Sequence, residues 1–201
     1  MTEDAVKNED TKEKQGFTAR DFAEILLYIG LVVLISILIV TFVGQRTIVD
    51  GNSMNPTLQN GDNLIVDKLS YRFGDPQRFD IIIFPYQYKE NTNYIKRIIG
   101  LPGETVQIDY SGNIYIDGEI LDEDYGLETI LNPGNAAEPI TLGPDEYFCL
   151  GDNRNNSEDS RFSDVGPIKR ENIIGKAWVR IYPFNKIHTL GHSYHGEADA
   201  Q

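Results

Sequence analysis

The chain has 201 residues, a formal net charge of -13 at pH 7 and 40% hydrophobic residues. This length suits one compact domain with an accessory segment, and the apolar share is enough to build a core. So acidic a chain is a poor partner for nucleic acid, whose phosphates call for clustered Lys and Arg. Its single cysteine, Cys149, can form neither an intramolecular disulfide nor a cysteine-based zinc site.

Residues 1–24 are polar and mixed in charge, with Lys7, Lys12, Lys14 and Arg20 among several acids. They have no apolar period and read as a tail. From Ile25 to Val43 no residue is charged, and nearly all are Ile, Leu, Val or Phe. At about 1.5 Å per helical residue the run is long enough for a hydrocarbon core of about 30 Å. It is longer than the apolar stretch of a cleaved leader and lacks the polar stripe of a core helix. It is read as a retained membrane anchor. Four basic residues precede it and only Arg46 follows closely, which places the tail in the cytoplasm and the rest of the chain outside.

Residues 45–187 read as mostly β. Short apolar runs (Leu64 to Val66, Ile81 to Phe84, Tyr94 to Ile99, Tyr147 to Leu150, Ala177 to Tyr182) alternate with turn signals such as Asn60-Gly61-Asp62, Leu101-Pro102-Gly103 and Pro133-Gly134. The pattern predicts a compact β-barrel or folded sheet. Val106 to Ile116, around Ser111-Gly112-Asn113, reads as a hairpin. The acidic, Gly- and Pro-punctuated stretch 121–145 reads as a surface excursion, and 188–201 as a flexible tail. That tail holds the only histidines, His188, His192 and His195, so neither a Ser-His-Asp triad nor a metal site is expected.

Three constellations carry chemistry. In Gly51-Asn52-Ser53-Met54-Asn55-Pro56 a serine sits among turn formers, where backbone N–H groups can converge on one spot; an ordinary turn serine reads the same way. In Tyr94-Ile95-Lys96-Arg97-Ile98, strand alternation puts Tyr94, Lys96 and Ile98 on one face. A lysine so flanked is open to desolvation, which lowers its pKa and frees it as a base; a snorkelling surface lysine reads the same way. Gly151 to Arg161 packs carboxylates, guanidiniums and hydroxyls into one loop, suited to a bracing network or to a plain polar turn.

In order and wording, these stretches resemble the conserved boxes of bacterial type I signal peptidases, the membrane-bound Ser–Lys proteases of the peptidase S26 family. Ser53 to Leu58 resembles the nucleophile box, and Gly61 to Val66 with Asp80 to Phe84 the structural box that follows. Tyr94 to Gly103 resembles the general-base box. Gly151-Asp152-Asn153, Ser157 and Asp159-Ser160-Arg161 resemble the last box. The match runs from about Gln45 to Phe184 and is closest to the compact, single-anchor, Gram-positive kind.

The resemblance implies a signal-peptidase-like β-barrel or folded-sheet domain behind one transmembrane helix. It implies Ser53 as nucleophile and Lys96 as general base. Ser157 would hydrogen-bond the lysine amine, and the pairs Arg97–Asp152 and Asp159–Arg161 would brace the site. Some members carry a serine two residues before the nucleophile; Gly51 stands there, so an oxyanion would rest on backbone N–H groups. No cofactor or metal is implied. The implied partners are preproteins bearing signal peptides, cut after small-x-small sequences, and the lipid bilayer. Ser53 lies so few residues past the apolar run that its reach from Val43 is at most roughly 35 Å, which would keep the site near the membrane surface. Two alternatives carry other implications. A self-cleaving regulator of the same Ser–Lys clan would have a DNA-binding domain where the apolar run stands. A non-catalytic membrane-anchored binding module would have no use for a desolvated lysine. Cleavage of a preprotein separates all three.

Overall fold

The structure is a computed structural model that describes residues 19–42 and 44–191. The expected tail up to Thr18, Val43, and the histidines at 192 and 195 lie outside the described residues. Helix α1 (Ala19–Phe42) lies up to Ile39 in one unit, and residues 40–201 form a second. The helix begins ahead of the apolar run, inside the stretch read as tail. Extending an existing helix costs little per residue, and Arg20 and Glu24 make an i,i+4 ion pair at 3.3 Å there. Among the described residues no helix is long and apolar enough to cross a membrane. The described side chains of α1 stop at Ser36 and include Arg20, Asp21 and Glu24.

The second unit is mostly β. Its strands are β1 (Gly44–Ile48), β2 (Asn63–Asp67), β3 (Ile81–Pro85), β4 (Asn93–Gly100), β5 (Thr105–Ile108), β6 (Ile114–Ile116), β7 (Glu119–Ile120), β8 (Ile140–Thr141), β9 (Glu146–Leu150), β10 (Ile168–Lys169), β11 (Gly175–Tyr182) and β12 (His188–Thr189). The larger sheet runs β1-β2-β11-β3-β4-β9-β10, with β12 on β11; the smaller runs β7-β6-β5-β8. Among the described residues no pairing joins β1 to β10. The expected barrel or folded sheet is therefore two open sheets. The expected hairpin is β5–β6, with Val106 opposite Ile116 and Ile108 opposite Ile114.

Three apolar clusters explain why some strands read as unbroken apolar runs. In β3, Ile81 and Ile83 enter one cluster with Val49, Met54, Leu58, Leu64, Val66 and Ile95. Ile82 and Phe84 enter another with Ile98, Tyr147 and Cys149. A strand covered on both faces has no polar alternate positions. The first cluster lies beneath the Ser53 turn, since Met54 and Leu58 are its buried anchors.

Two expectations differ from the structure. Residues 121–145 are more than a surface excursion: Tyr125, Ile130, Ala136 and Leu142 are buried, and the last three belong to the cluster around Ile99 and Phe148. Their apolar residues have no period because a loop, pinned by tertiary hydrogen bonds, delivers them. Asn155 Nδ2 donates to Thr129 O at 2.9 Å, and the Asn135 N–H donates to Arg161 O at 2.8 Å. The fold also continues past 187. His188 pairs with Arg180 and Thr189 with Val179, and Leu190 is buried against the Ser53-side cluster.

Candidate active site

Ser53 sits on the turn between β1 and β2, braced from both sides. The Asn55 N–H donates to Asn52 O at 3.2 Å, and the Leu58 N–H to Met54 O at 2.8 Å. Gly51, two residues earlier, has φ +103, a conformation that glycine adopts without a Cβ penalty. Its N–H donates to Asn60 Oδ1 at 3.0 Å. From the last loop, the Asn153 N–H reaches Ser53 O at 3.0 Å and Asn153 Nδ2 reaches Asn52 O at 3.0 Å. Two separate loops thus fix the serine backbone.

Lys96 comes from β4. It is 3% exposed, and its Nζ donates to Ser53 Oγ at 2.9 Å and to Ile95 O at 3.1 Å. Nζ also lies 4.9 Å from the centroid of the Tyr94 ring. Burial pushes the amine down to about 8 from the ordinary lysine value of 10.5; the carboxylates Asp159, Glu158 and Asp152 act in the opposite sense. Desolvation wins because ammonium loses more hydration than the neutral amine.

This depressed pKa has a consequence for stability. Below about 8 the lysine is protonated in both folded and unfolded chains, and the burial cost is present in full. Between about 8 and 10.5 the folded protein has lost the proton while the unfolded chain still holds it, so stability rises with pH. The full cost is on the order of 3 kcal/mol. We therefore expect Lys96→Met to be more stable than wild type at neutral pH by about 1–3 kcal/mol. Its advantage should shrink as pH climbs through that window. Denaturant unfolding at several pH values checks this, and a pH-independent difference would contradict it.

The other residues singled out form a brace behind this pair. Arg97 Nε donates to Asp152 Oδ1 at 2.9 Å and Nη2 to Oδ2 at 2.7 Å. Arg97 Nη1 donates to Phe79 O at 3.0 Å, and the guanidinium stacks 3.7 Å from the Tyr125 ring centroid. Thr57 Oγ1 donates to Asp152 Oδ2 at 2.5 Å, which ties the nucleophile turn to that pair. Arg161 holds Asp159 with Nε to Oδ1 at 2.8 Å and Nη2 to Oδ2 at 2.9 Å. Asp159 Oδ2 also accepts the Gly151 N–H at 3.1 Å. Both pairs are buried and use the planar fork of arginine on carboxylate.

Ser157 lies in the same place but not in the expected bond. Its Oγ is buried without a hydrogen-bond partner, while the Lys96 amine bonds Ser53 Oγ and the Ile95 carbonyl. Gly151 is what lets this loop close: a Cβ there would strike Ser157 Oγ and Ser53 O.

The contacts of several contributors were not visible in sequence. Thr57, Asn153 and Tyr125 act through partners far along the chain. Arg154, buried, pairs with Glu123 at 2.6 Å and 2.8 Å and donates to Gly151 O at 3.1 Å. Only the polar density of the 151–161 loop hinted at such a brace. Among the described residues no group of His, Cys, Asp and Glu could hold a metal ion.

Ser53 and Lys96 open onto a groove of about 840 Å³, walled by Ile48 to Met54 on one side and by Asn93 to Ile95 with Asn155 to Glu158 on the other. A neutral amine on a fixed hydroxyl, beside a groove that an extended chain can fill, can perform acyl transfer.

Residues 22–182 match the family described as signal peptidase, peptidase S26. The chain is 38% identical over 195 residues to the probable signal peptidase I-2 of Synechocystis sp., covering 94% of this chain and 86% of that one. It is 44% identical over 170 residues to the signal peptidase I of Leptolyngbya laminosa, covering 81% of each. A crystal structure of a signal peptidase I from Enterococcus faecalis is 36% identical with a TM-score of 0.42, covering 51% of this chain and 97% of that one. The family match spans most of the chain, and the chain belongs to the signal peptidases of peptidase family S26.

Proposed function

We propose that this protein is a membrane-bound serine endopeptidase that removes signal peptides from exported preproteins, with Ser53 as nucleophile and Lys96 as general base. The observation that carries the reading is the buried Lys96 amine, 2.9 Å from Ser53 Oγ and brought down to about 8. Neutral Lys96 takes the hydroxyl proton as Ser53 Oγ attacks the scissile carbonyl. Backbone N–H groups of the turn, that of Ser53 among them, stabilise the oxyanion. As the C–N bond breaks, Lys96 returns the proton to the leaving amine. It then takes a proton from water, whose oxygen attacks the acyl-enzyme, and gives that proton to Ser53 Oγ as the ester C–O bond breaks.

β4 supports an extended substrate. It pairs with β9 only from Arg97 onward, so on that side the groove-lining residues Asn93 to Lys96 leave backbone groups for a peptide to bond. An added strand turns alternate side chains the same way, in keeping with a small-x-small preference. The apolar run from Ile25 to Val43 supports a single anchor in the cell membrane, with the N-terminus cytoplasmic and the peptidase domain extracytoplasmic.

The test is cleavage of a preprotein by the full-length protein in detergent or vesicles, with the cut mapped by mass spectrometry. Cleavage after small-x-small is expected, at a rate that rises with pH through about 8 as Lys96 deprotonates. A rising limb in the carboxylate range, or equal cleavage after a bulky aromatic residue, would refute it.

A further inference from the structure

One contact at the groove has no part in the chemistry above. Tyr94 OH donates to Glu158 Oε2 at 2.7 Å. Both residues wall the groove that holds Ser53 and Lys96. The Tyr94 ring is held in place: it stacks on Tyr86 at 4.4 Å and 9°, and meets Phe84 edge-on at 6.2 Å. Lys96 Nζ lies 4.9 Å from its centroid. The phenol bond therefore links a fixed ring beside the amine to a carboxylate on the loop after β9. An exposed glutamate otherwise samples many rotamers; here its charge is kept at the groove wall.

The groups around Lys96 differ in how free their charge is. Ser53 from the nucleophile turn, Tyr94 from its own strand and Cys149 from β9 are neutral at working pH. Asp152 and Asp159, from the following loop, are each forked by a buried arginine, Arg97 and Arg161, whose charge offsets theirs. Glu158 receives a phenol hydroxyl in place of a guanidinium. Its negative charge therefore acts on the amine with no such offset, and a nearby anion favours the protonated form.

We propose that Glu158, pinned by Tyr94, is a positioning residue that sets the pH at which Lys96 becomes free to act as a base. This rests on the Ser53–Lys96 reading. The direction matches the pull of Glu158 on Lys96, opposite to that of burial; Asp159, even forked by Arg161, pulls the same way and more strongly. With the clasp in place the enzyme is held back at lower pH and released as pH rises.

The experiment uses the full-length protein in detergent and follows kcat/KM for a preprotein against pH. Glu158→Gln keeps an acceptor for the Tyr94 hydroxyl but removes the charge. Its rising limb should move to lower pH by about half a unit, which is about threefold faster cleavage well below the midpoint. Tyr94→Phe keeps the ring and its stacking but releases the carboxylate, so it should move the limb the same way. The double variant should move it no further than Glu158→Gln alone, since both act through one charge. Direct titration of the Lys96 amine by NMR in a Ser53→Ala background, with and without Glu158→Gln, should give the same shift without turnover. An unmoved amine in that titration would overturn the clasp, as would an equal shift from Asp164→Asn, another carboxylate of the groove. If instead the amine moved while the rate profile did not follow it, the assignment of Lys96 as base would fail, and this inference with it.

Discussion

Replacing Ser53 by Ala, or Lys96 by Met, should abolish preprotein cleavage while leaving the fold intact. The two groups serve one step. Without Oγ there is no atom to acylate; without a neutral amine at 2.9 Å the hydroxyl keeps its proton. Losses from partners in one step do not add. Each single variant should therefore fall by about 10^4-fold or more in kcat/KM, and the double variant hardly further. Lys96→Arg should fail as well, because a guanidinium stays charged at any usable pH. The fold should survive because Ser53 is small and half-buried, and because Met fills the volume of the lysine stem without its desolvated charge. The check is cleavage kinetics of the four variants alongside their thermal unfolding. A Lys96→Met protein that kept a tenth of wild-type activity would remove lysine from the mechanism.

The second large effect concerns stability. Asp152→Ala should lower the unfolding free energy by about 3–5 kcal/mol, a fall in Tm on the order of 10 °C. It strips the partner from Arg97, which is 2% exposed and cannot shed its proton. It also releases Thr57 Oγ1, so the nucleophile turn loses one of its ties to the buried pair. Asp152→Asn should cost less, since the amide oxygen can still accept one of the two arginine bonds. Replacing Arg97 and Asp152 together by apolar residues should recover much of the stability, because no unpaired charge is left behind. Calorimetry on the four proteins decides the matter. An Asp152→Ala variant within about 1 kcal/mol of wild type would mean that water reaches the guanidinium.

The β character of the domain was legible because strands carry their own marks. The runs at Ile81 to Phe84 and Tyr94 to Ile99 are apolar on successive residues, and Gly- and Pro-rich turns bound them. The alternation that set Lys96 beside Tyr94 also holds, since Nζ lies against that ring. The candidate pair itself was legible mainly by resemblance. Neither Ser53 on its turn nor Lys96 on its strand is distinctive alone, and nothing local in the sequence says that they meet across 43 positions.

What the sequence by itself determined is the part written in local chemistry: an apolar run, short strands, a serine on a turn and a lysine among apolar neighbours. What only the tertiary structure decided is the part that depends on partners distant along the chain. Tyr125 and Ile130 come from a stretch with no hydrophobic period, yet they are buried, because loop backbone bonds and not a repeating element carry them inward. Ser157 was expected at the lysine but is left unbonded, while the amine bonds Ser53 and the Ile95 carbonyl. Thr57, Glu123 and Glu158 gain their parts only when Asp152, Arg154 and Tyr94 arrive beside them. Periodicity records which face of an element leaves water. It cannot record which polar atom meets which, since a hydrogen bond is settled within a few tenths of an ångström by how separate elements pack.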